Sequence, residues 1–337
     1  MSITSPPRVS LAPFGIDRRL PDLATPQTIP EALALAIDLG GNGLVPGDGK
    51  TAELWEILAT LAAHDLAIAR AVEPHLDAVA ILEQAAQHPV PGATWGVFAA
   101  EGGDDPLIYA DGALTGTKPW CSLAASLDRA LVTARTVSGD RQLYSVDLSH
   151  PGITVEQGAW HSRGLAEIPS GPVHFATVAA TPVGAPGWYL TRPGFAWGGI
   201  AVAACWFGGA VGIARAVFDA AVLRSTDTIT TMHLGAIDES IGSARRALAE
   251  ASALVDAGEA TGRAGEILAK RVRATVANTC DLVIERAGRA LGPAPLALDE
   301  QHAKRVADLT VYVRQHHAER DEASLGAKLL DAGELPW

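Results

Sequence analysis

Residues 114–122 read LTGTKPWCS. Gly116 permits a tight turn and Pro119 stiffens the chain. Trp120 then sets a broad planar ring directly before Cys121 and the small hydroxyl of Ser122. At a strand edge such a run can lay a tryptophan against a flat heteroaromatic ligand, while Ser122 or nearby backbone N–H groups reach the ligand's polar rim. Composition alone favours a structural hairpin, so the surroundings decide between the two.

Those surroundings are strand-prone. LIYADG (107–112), RALVTARTV (129–137), RQLYSVDL (141–148) and VHFATVAA (173–180) are short β-forming runs separated by Gly, Pro, Asp and Ser. They predict a β-rich middle domain over 92–190. Before it, TAELWEILATLAAHDLAIARAV (51–72) carries leucines at helical spacing with Thr51 as N-cap. A second helix over 74–87 opens on Pro74. These two define an N-terminal helical lobe, 36–91, behind a loose leader, 1–35. After the strands, helical patterning begins near Gly198 and returns over 235–257, 261–291 and 298–323, which predicts a C-terminal four-helix bundle within 191–337.

Composition narrows the function. The 337 residues are rich in alanine and only 5 % aromatic, which suits close-packed helices. With 38 acidic against 26 basic residues the net charge is -12, and no basic run is present to follow a phosphate backbone, so nucleic acid is excluded as a partner. Cys121, Cys205 and Cys280 are scattered without CxxC spacing, and the start lacks a secretory pattern; both fit a cytoplasmic protein. The apolar stretch 194–214 has the length of a membrane span, but its six glycines and many alanines predict a buried bundle helix and no stable membrane insertion.

Familiar motifs are missing. GLVPGDGKT (43–51) ends like a phosphate-binding loop, yet Leu44 stands where glycine is required. No GxGxxG links a strand to a helix. His64, His75 and His88 lack ligand spacing and HExxH is absent, so no metal site is expected.

The order of helices, strands and long helices, with LTGTKPWCS followed by LDRALVTART, resembles the acyl-CoA dehydrogenase family. VHFATV (173–178) and GRALGPAPLALDEQHAKRVADL (288–309) extend the likeness over about 50–325. The resemblance implies that fold: an N-terminal helical lobe, a middle β-barrel-like domain and a C-terminal four-helix bundle, with FAD between the last two. Trp120, Cys121 and Ser122 match the family's positions along the isoalloxazine ring, Ser122 at its N5 and O4 edge. Ala99 and Ala100 match the preceding flavin-binding stretch, whose threonine hydroxyl is missing at Ala100.

Other positions depart from the family. The loop Glu101-Gly102-Gly103-Asp104-Asp105 is shortened. Thr231-Met232-His233-Leu234-Gly235 replaces the Arg-x-Gln-Phe-Gly signature that holds FAD from a neighbouring subunit. Arg305 and Asp308 match a family Arg-Asp pair, and counting onward from Asp308 to the family's glutamate base lands on His316. An imidazole then takes the place of a carboxylate, and at an ordinary pKa of about 6.5 it can serve as a general base. His317 points elsewhere if both lie on one helix.

Three readings follow. The first is an FAD-dependent oxidoreductase that desaturates an acyl-CoA at Cα and Cβ and passes electrons to an external acceptor. The second is a monooxygenase of the same fold, acting on a small aromatic substrate and served by a flavin reductase. The third is a non-catalytic scaffold. Each expects a homodimer or homotetramer, because this fold completes its flavin site across a subunit interface.

Overall fold

The computed structural model describes residues 8–12, 25–102, 105–224 and 227–333, so Gly103 and Asp104 of the shortened loop lie outside the described residues. The chain opens with helices α1 (Ile29–Gly41), α2 (Thr51–His64) and α3 (Leu66–Gln84). Thr28 caps α1 by accepting from the Glu31 N–H, which starts a helix inside the segment read as leader. Val9 and Leu11 of that segment are buried on α2. There the Val9 N–H donates to Thr60 Oγ1 at 2.9 Å and the Leu11 N–H to Glu56 Oε1 at 2.8 Å, so 8–12 is docked.

The continuous helix expected over 51–72 breaks at Asp65, whose extended backbone ends α2 and whose carboxylate caps α3 by accepting from the Ala67 N–H at 2.8 Å. Thr51 does not cap α2. Its hydroxyl accepts from the Gly47 N–H and donates to Asp256, tying the GDGKT loop to the bundle. Pro74 lies inside α3 and does not open it. It lacks the N–H that would otherwise bond the Arg70 carbonyl, four residues back.

Eight strands follow: β1 (Trp95–Phe98), β2 (Ile108–Ala110), β3 (Ala113–Ser122), β4 (Arg129–Thr136), β5 (Arg141–Asp147), β6 (Ile153–Val155), β7 (Ser170–Ala179) and β8 (Thr181–Val183). They pair in the order β6-β7-β3-β2-β4-β5-β8, with β1 parallel to β4. Among the described residues this path does not close, so the expected barrel is an open mixed sheet. The quoted LTGTKPWCS is β3, antiparallel to β7 with register shifts at Leu114/Gly116 and Lys118/Cys121. Gly116 therefore makes no hairpin turn. Its φ is +121°, and a Cβ there would lie 2.6 Å from the Pro106 carbonyl oxygen, so only glycine fits.

The C-terminal part contains α4 (Trp188–Thr191), α5 (Pro193–Arg224), α6 (Thr228–Asp256), α7 (Gly262–Leu291), α8 (Pro293–Leu298) and α9 (Glu300–Tyr312). A 3₁₀ turn, Val313–Gln315, and α10 (Glu319–Ala332) complete it. Helix α5 is the apolar candidate span, and 78 % of its most apolar window is buried inside the molecule. It packs against α2, α3, α6, α7 and α9. One apolar core thus joins α1–α3 to the bundle, and the lobe has no separate centre. The helix expected over 298–323 breaks after Tyr312 and restarts at Glu319.

Asp308 fastens the sheet domain to α9. Its buried carboxylate accepts from the Leu165 N–H at 2.6 Å and from Lys304 Nζ at 2.7 Å. Beside it, a Cβ on Gly164 would lie 2.0 Å from the Ala307 oxygen. Lys304 also pairs with Asp65 at 2.9 Å and Glu167 at 3.4 Å, so Asp308→Ala strands the Leu165 N–H more than the lysine. The substitution is expected to lower stability by about 2 kcal/mol in urea unfolding, the scale of one charge-assisted hydrogen bond.

Candidate functional site

Strand pairing sets Ser122, the last residue of β3, opposite Ser170, the first of β7. Their hydroxyl oxygens are 2.8 Å apart, and Ser170 donates onward to the Ile168 carbonyl at 3.0 Å. Either hydroxyl can supply the proton between the two serines. Ser122 in turn accepts from Arg70 Nη2 at 2.8 Å. Arg70 comes from the second turn of α3, and its guanidinium lies over the Tyr312 ring at 5.6 Å.

Arg70 and Ser122 are the polar members of a cavity at the junction of α3, β1 and the β3 terminus, walled by Pro74, Trp95, Phe98 and Leu123. Its volume of ≈ 10 Å³ is room for about one water. Trp120, two residues before Ser122 in the bulged register, has φ +59° and is 61 % exposed, presenting its ring outward. Cys121 faces the other way, into the sheet core. Burial pushes its thiol up to about 12, and it donates to the Lys118 carbonyl, so it packs and presents nothing to a ligand. Ala99 is half-buried just beyond β1, and Ala100 is exposed.

Glu101 is engaged elsewhere. Its carboxylate meets Lys118 at 3.4 Å, Arg141 at 3.2 Å and Arg135 at 3.8 Å. Partial burial opposes ionisation, but Lys118 and Arg141 prevail and hold the carboxyl below its usual range.

On the cavity's helical side, α3 carries a buried acidic pair a turn beyond Arg70. Burial, then neighbouring Asp77, push Glu73 up to about 8, against the pull of Arg70 and Arg273. Asp77 is 3.6 Å from Arg192, which also donates to Gln84 at 2.9 Å. Arg273 of α7 stands over Trp206 at 4.7 Å and donates to the carbonyls of Gly199 and Gln315.

The Gln315 contact leads to His316. The residue lies in the break between α9 and α10 with extended backbone, and Ala318 beside it has φ +45°, a costly conformation for a side-chain-bearing residue. The imidazole is buried and its Nε2 has no hydrogen-bond partner; Asp321 Oδ2 is 3.9 Å away. Burial holds its pKa below the ordinary histidine value, with Asp321 opposing. His317 is exposed, and the two part because of the chain break rather than by rotation about a helix. His316 does not line the Ser122 cavity. Tyr312 lies under Arg70 and edge-on to Trp206 at 6.2 Å.

The other matched positions are dispersed. In α6, Met232 is exposed and His233 is buried with Nδ1 unpartnered, while Arg305 reaches the His64 carbonyl. Sequence reasoning missed Arg70 and Glu73. Their faint signal was a polar stripe, Arg70, Glu73, Asp77 and Gln84, recurring at helical spacing on an otherwise apolar helix.

No family model and no curated protein matches the chain. Solved structures share its fold. KijD3, solved with FMN and a dTDP-linked amino-keto sugar, is 17 % identical with a TM-score of 0.75, the match covering 91 % of this chain and 92 % of that one. TdsC from Paenibacillus sp. A11-2, solved with FMN and indole, is 16 % identical at 0.72, covering 91 % and 98 %. The nitrososynthase from Micromonospora carbonacea var. africana is 18 % identical at 0.67, covering 85 % and 88 %. The chain therefore shares the acyl-CoA dehydrogenase-like fold of these structures. At these identities the likeness defines the architecture; substrate and chemistry are argued from the site.

Proposed function

We propose that the chain is a flavin-dependent monooxygenase that oxidises a small aromatic or heterocyclic substrate with molecular oxygen. The observation that carries this reading is His316: a buried imidazole with a free Nε2, held in a strained chain break where the resemblance puts a carboxylate. Thioester desaturation needs a strong base to take an acidic proton next to the carbonyl. Glu101 is tied to three cations and His316 holds a depressed pKa, which supports oxygenation over desaturation. TdsC, described as a dibenzothiophene monooxygenase, and the nitrososynthase lend the same support.

Two groups suit a flavin's chemistry, but the cavity itself has room for about one water. Trp120 offers an exposed ring, and Arg70 offers N–H groups at the cavity beside Ser122. Reduced by an external reductase, a flavin supplies the electron pair that activates oxygen. The protein's part is to orient the ring, exclude water and hold a proton. His316, neutral at pH 7, accepts or returns that proton at Nε2, with Asp321 as its nearest carboxylate. FAD is what the resemblance implies, whereas KijD3 and TdsC carry FMN, so either flavin is a candidate.

The small volume of the cavity means that a ring enters only as Arg70 or its neighbours move. Self-association is part of the same reading: Phe218, Val222, Leu223, Ile229 and Met232 leave apolar surface exposed at the α5–α6 end of the bundle.

The visible spectrum of fresh protein, before and after incubation with FMN or FAD and removal of free cofactor, is expected to show retained flavin bands. Reduced enzyme given oxygen and an aromatic substrate is expected to yield oxygenated product. Protein that stays colourless after both incubations would favour the scaffold reading.

A further inference from the structure

Resting on the reading of His316 as the acid–base group, we propose that α10 is a hinged flap over that imidazole. Closed, it shields Nε2; swinging about Ala318 and off α7, it opens the way by which a substrate reaches the ring.

The first support is position. His316 is 7 % exposed, and its Nε2 is buried without a hydrogen-bond partner. The charged and titratable groups facing the ring are Asp321 and Glu322 from the first turn of α10, Arg273 from α7 and the adjacent His317. Asp321 Oδ2 is 3.9 Å from Nε2, too far for a hydrogen bond. The start of α10 thus covers the ring without being bonded to it. A buried ring meets a substrate only after an element moves, and the cavity at Arg70 and Ser122 does not include His316.

The second support is attachment. Helix α9, just before the chain break, sends Leu309 and Tyr312 into the apolar core. Helix α10 has no buried residue, and among the described residues none of its side chains joins an apolar cluster; Leu330 is 84 % exposed. It packs on α7, where charge holds it. Lys328 pairs with Glu266, Arg263 donates to the Asp331 carbonyl at 3.0 Å, and Asp321 faces Lys270 and Arg273. Surface contacts of this kind are weak and screened by salt, so α10 detaches more readily than the helices that share the core.

The third support is the hinge. Ala318, between His317 and the first residue of α10, has φ +45° and ψ -117°, a conformation crowded for any residue with a Cβ. Closure of α10 on α7 imposes it, and opening relieves it.

Diethyl pyrocarbonate, which acylates an accessible imidazole, reads the opening without turnover. The full chain is used with His317→Ala, so that His316 is the one histidine between Arg314 and Arg320, and its modification is followed by mass spectrometry of the digested protein. Ellman's reagent, applied in parallel to the buried thiols Cys205 and Cys280, reports any opening of the core. Lys328→Glu, which sets like charge against Glu266, is expected to speed modification about fivefold. Raising salt from about 0.05 M to about 0.5 M is expected to speed it about twofold. Ala318→Gly, which takes a positive φ without strain, is expected to slow it about threefold, because the closed state is relieved. The thiols stay unreactive throughout. Equal rates in parent and variants, a faster rate in Ala318→Gly, rates that follow thiol reactivity, or a ring that is never modified would each overturn the flap. Should one variant fail to fold, the other and the salt series decide. Unchanged turnover in His316→Ala would remove the acid–base reading and leave the flap standing, since acylation of the ring needs no catalysis.

Discussion

Alanine at position 316 is expected to cut turnover of the oxygenation reaction about 100-fold, the scale of a lost acid–base group, with little change in flavin affinity. The split follows from position. His316 is absent from the lining of the cavity shared by Arg70 and Ser122, and Arg273 is the cation that acts on it. Burial, with Arg273 nearby, holds its pKa below 6.5, so the imidazole is neutral at pH 7. Turnover in the wild type should fall on the acid side as pH drops through that depressed value, because the base becomes protonated. The acid limb should vanish in His316→Ala. His317→Ala is the control: that ring is 65 % exposed, and its loss is expected to leave both turnover and pH profile intact. Unchanged turnover in His316→Ala would remove the imidazole from the mechanism.

Gly208→Ala is expected to cost at least about 3 kcal/mol, the upper range for overpacking a tight core, read as a lower urea midpoint. A Cβ at Gly208 would lie 2.1 Å from the Ala59 carbonyl oxygen, backbone of α2 that has no rotamer to move. Gly212, one turn on, has its hypothetical Cβ 2.7 Å from the Ala63 oxygen, so α2 and α5 touch along a glycine ridge. Gly235, in the open face of α6, has nothing within 4 Å. Alanine there is expected to be neutral or to stabilise by up to about 1 kcal/mol, since helical glycine has an entropic cost and no contact to protect. Similar losses at both positions would mean that the ridge contributes no more than ordinary helix propensity.

The strand runs around 107–112, 129–137, 141–148 and 173–180 and the long helices were legible because alternation and helical periodicity are local properties of a chain. The glycine-rich stretch 194–214 was legible too, as a helix to be buried, since small residues permit close approach. Failures came where long-range contacts overrode local pattern. Pro74 looked like a helix start but is carried inside α3 by the packing of that helix on β1 and α5. The pattern over 298–323 looked continuous, yet Arg273, 42 residues before Gln315, holds its carbonyl at the break.

By itself the sequence determined a helix–strand–helix order, the candidate platform Trp120-Cys121-Ser122, and a histidine at 316 where the resemblance led to a carboxylate. Only the tertiary structure decided what those groups can do. It turned Trp120 outward and Cys121 into the sheet, paired the Ser122 hydroxyl with Ser170, buried His316, and put Arg70 beside a serine 52 residues away. The reason is physical: a side chain's identity is written at its own position, but its charge state and its free donors depend on the partners and the burial that folding brings to it.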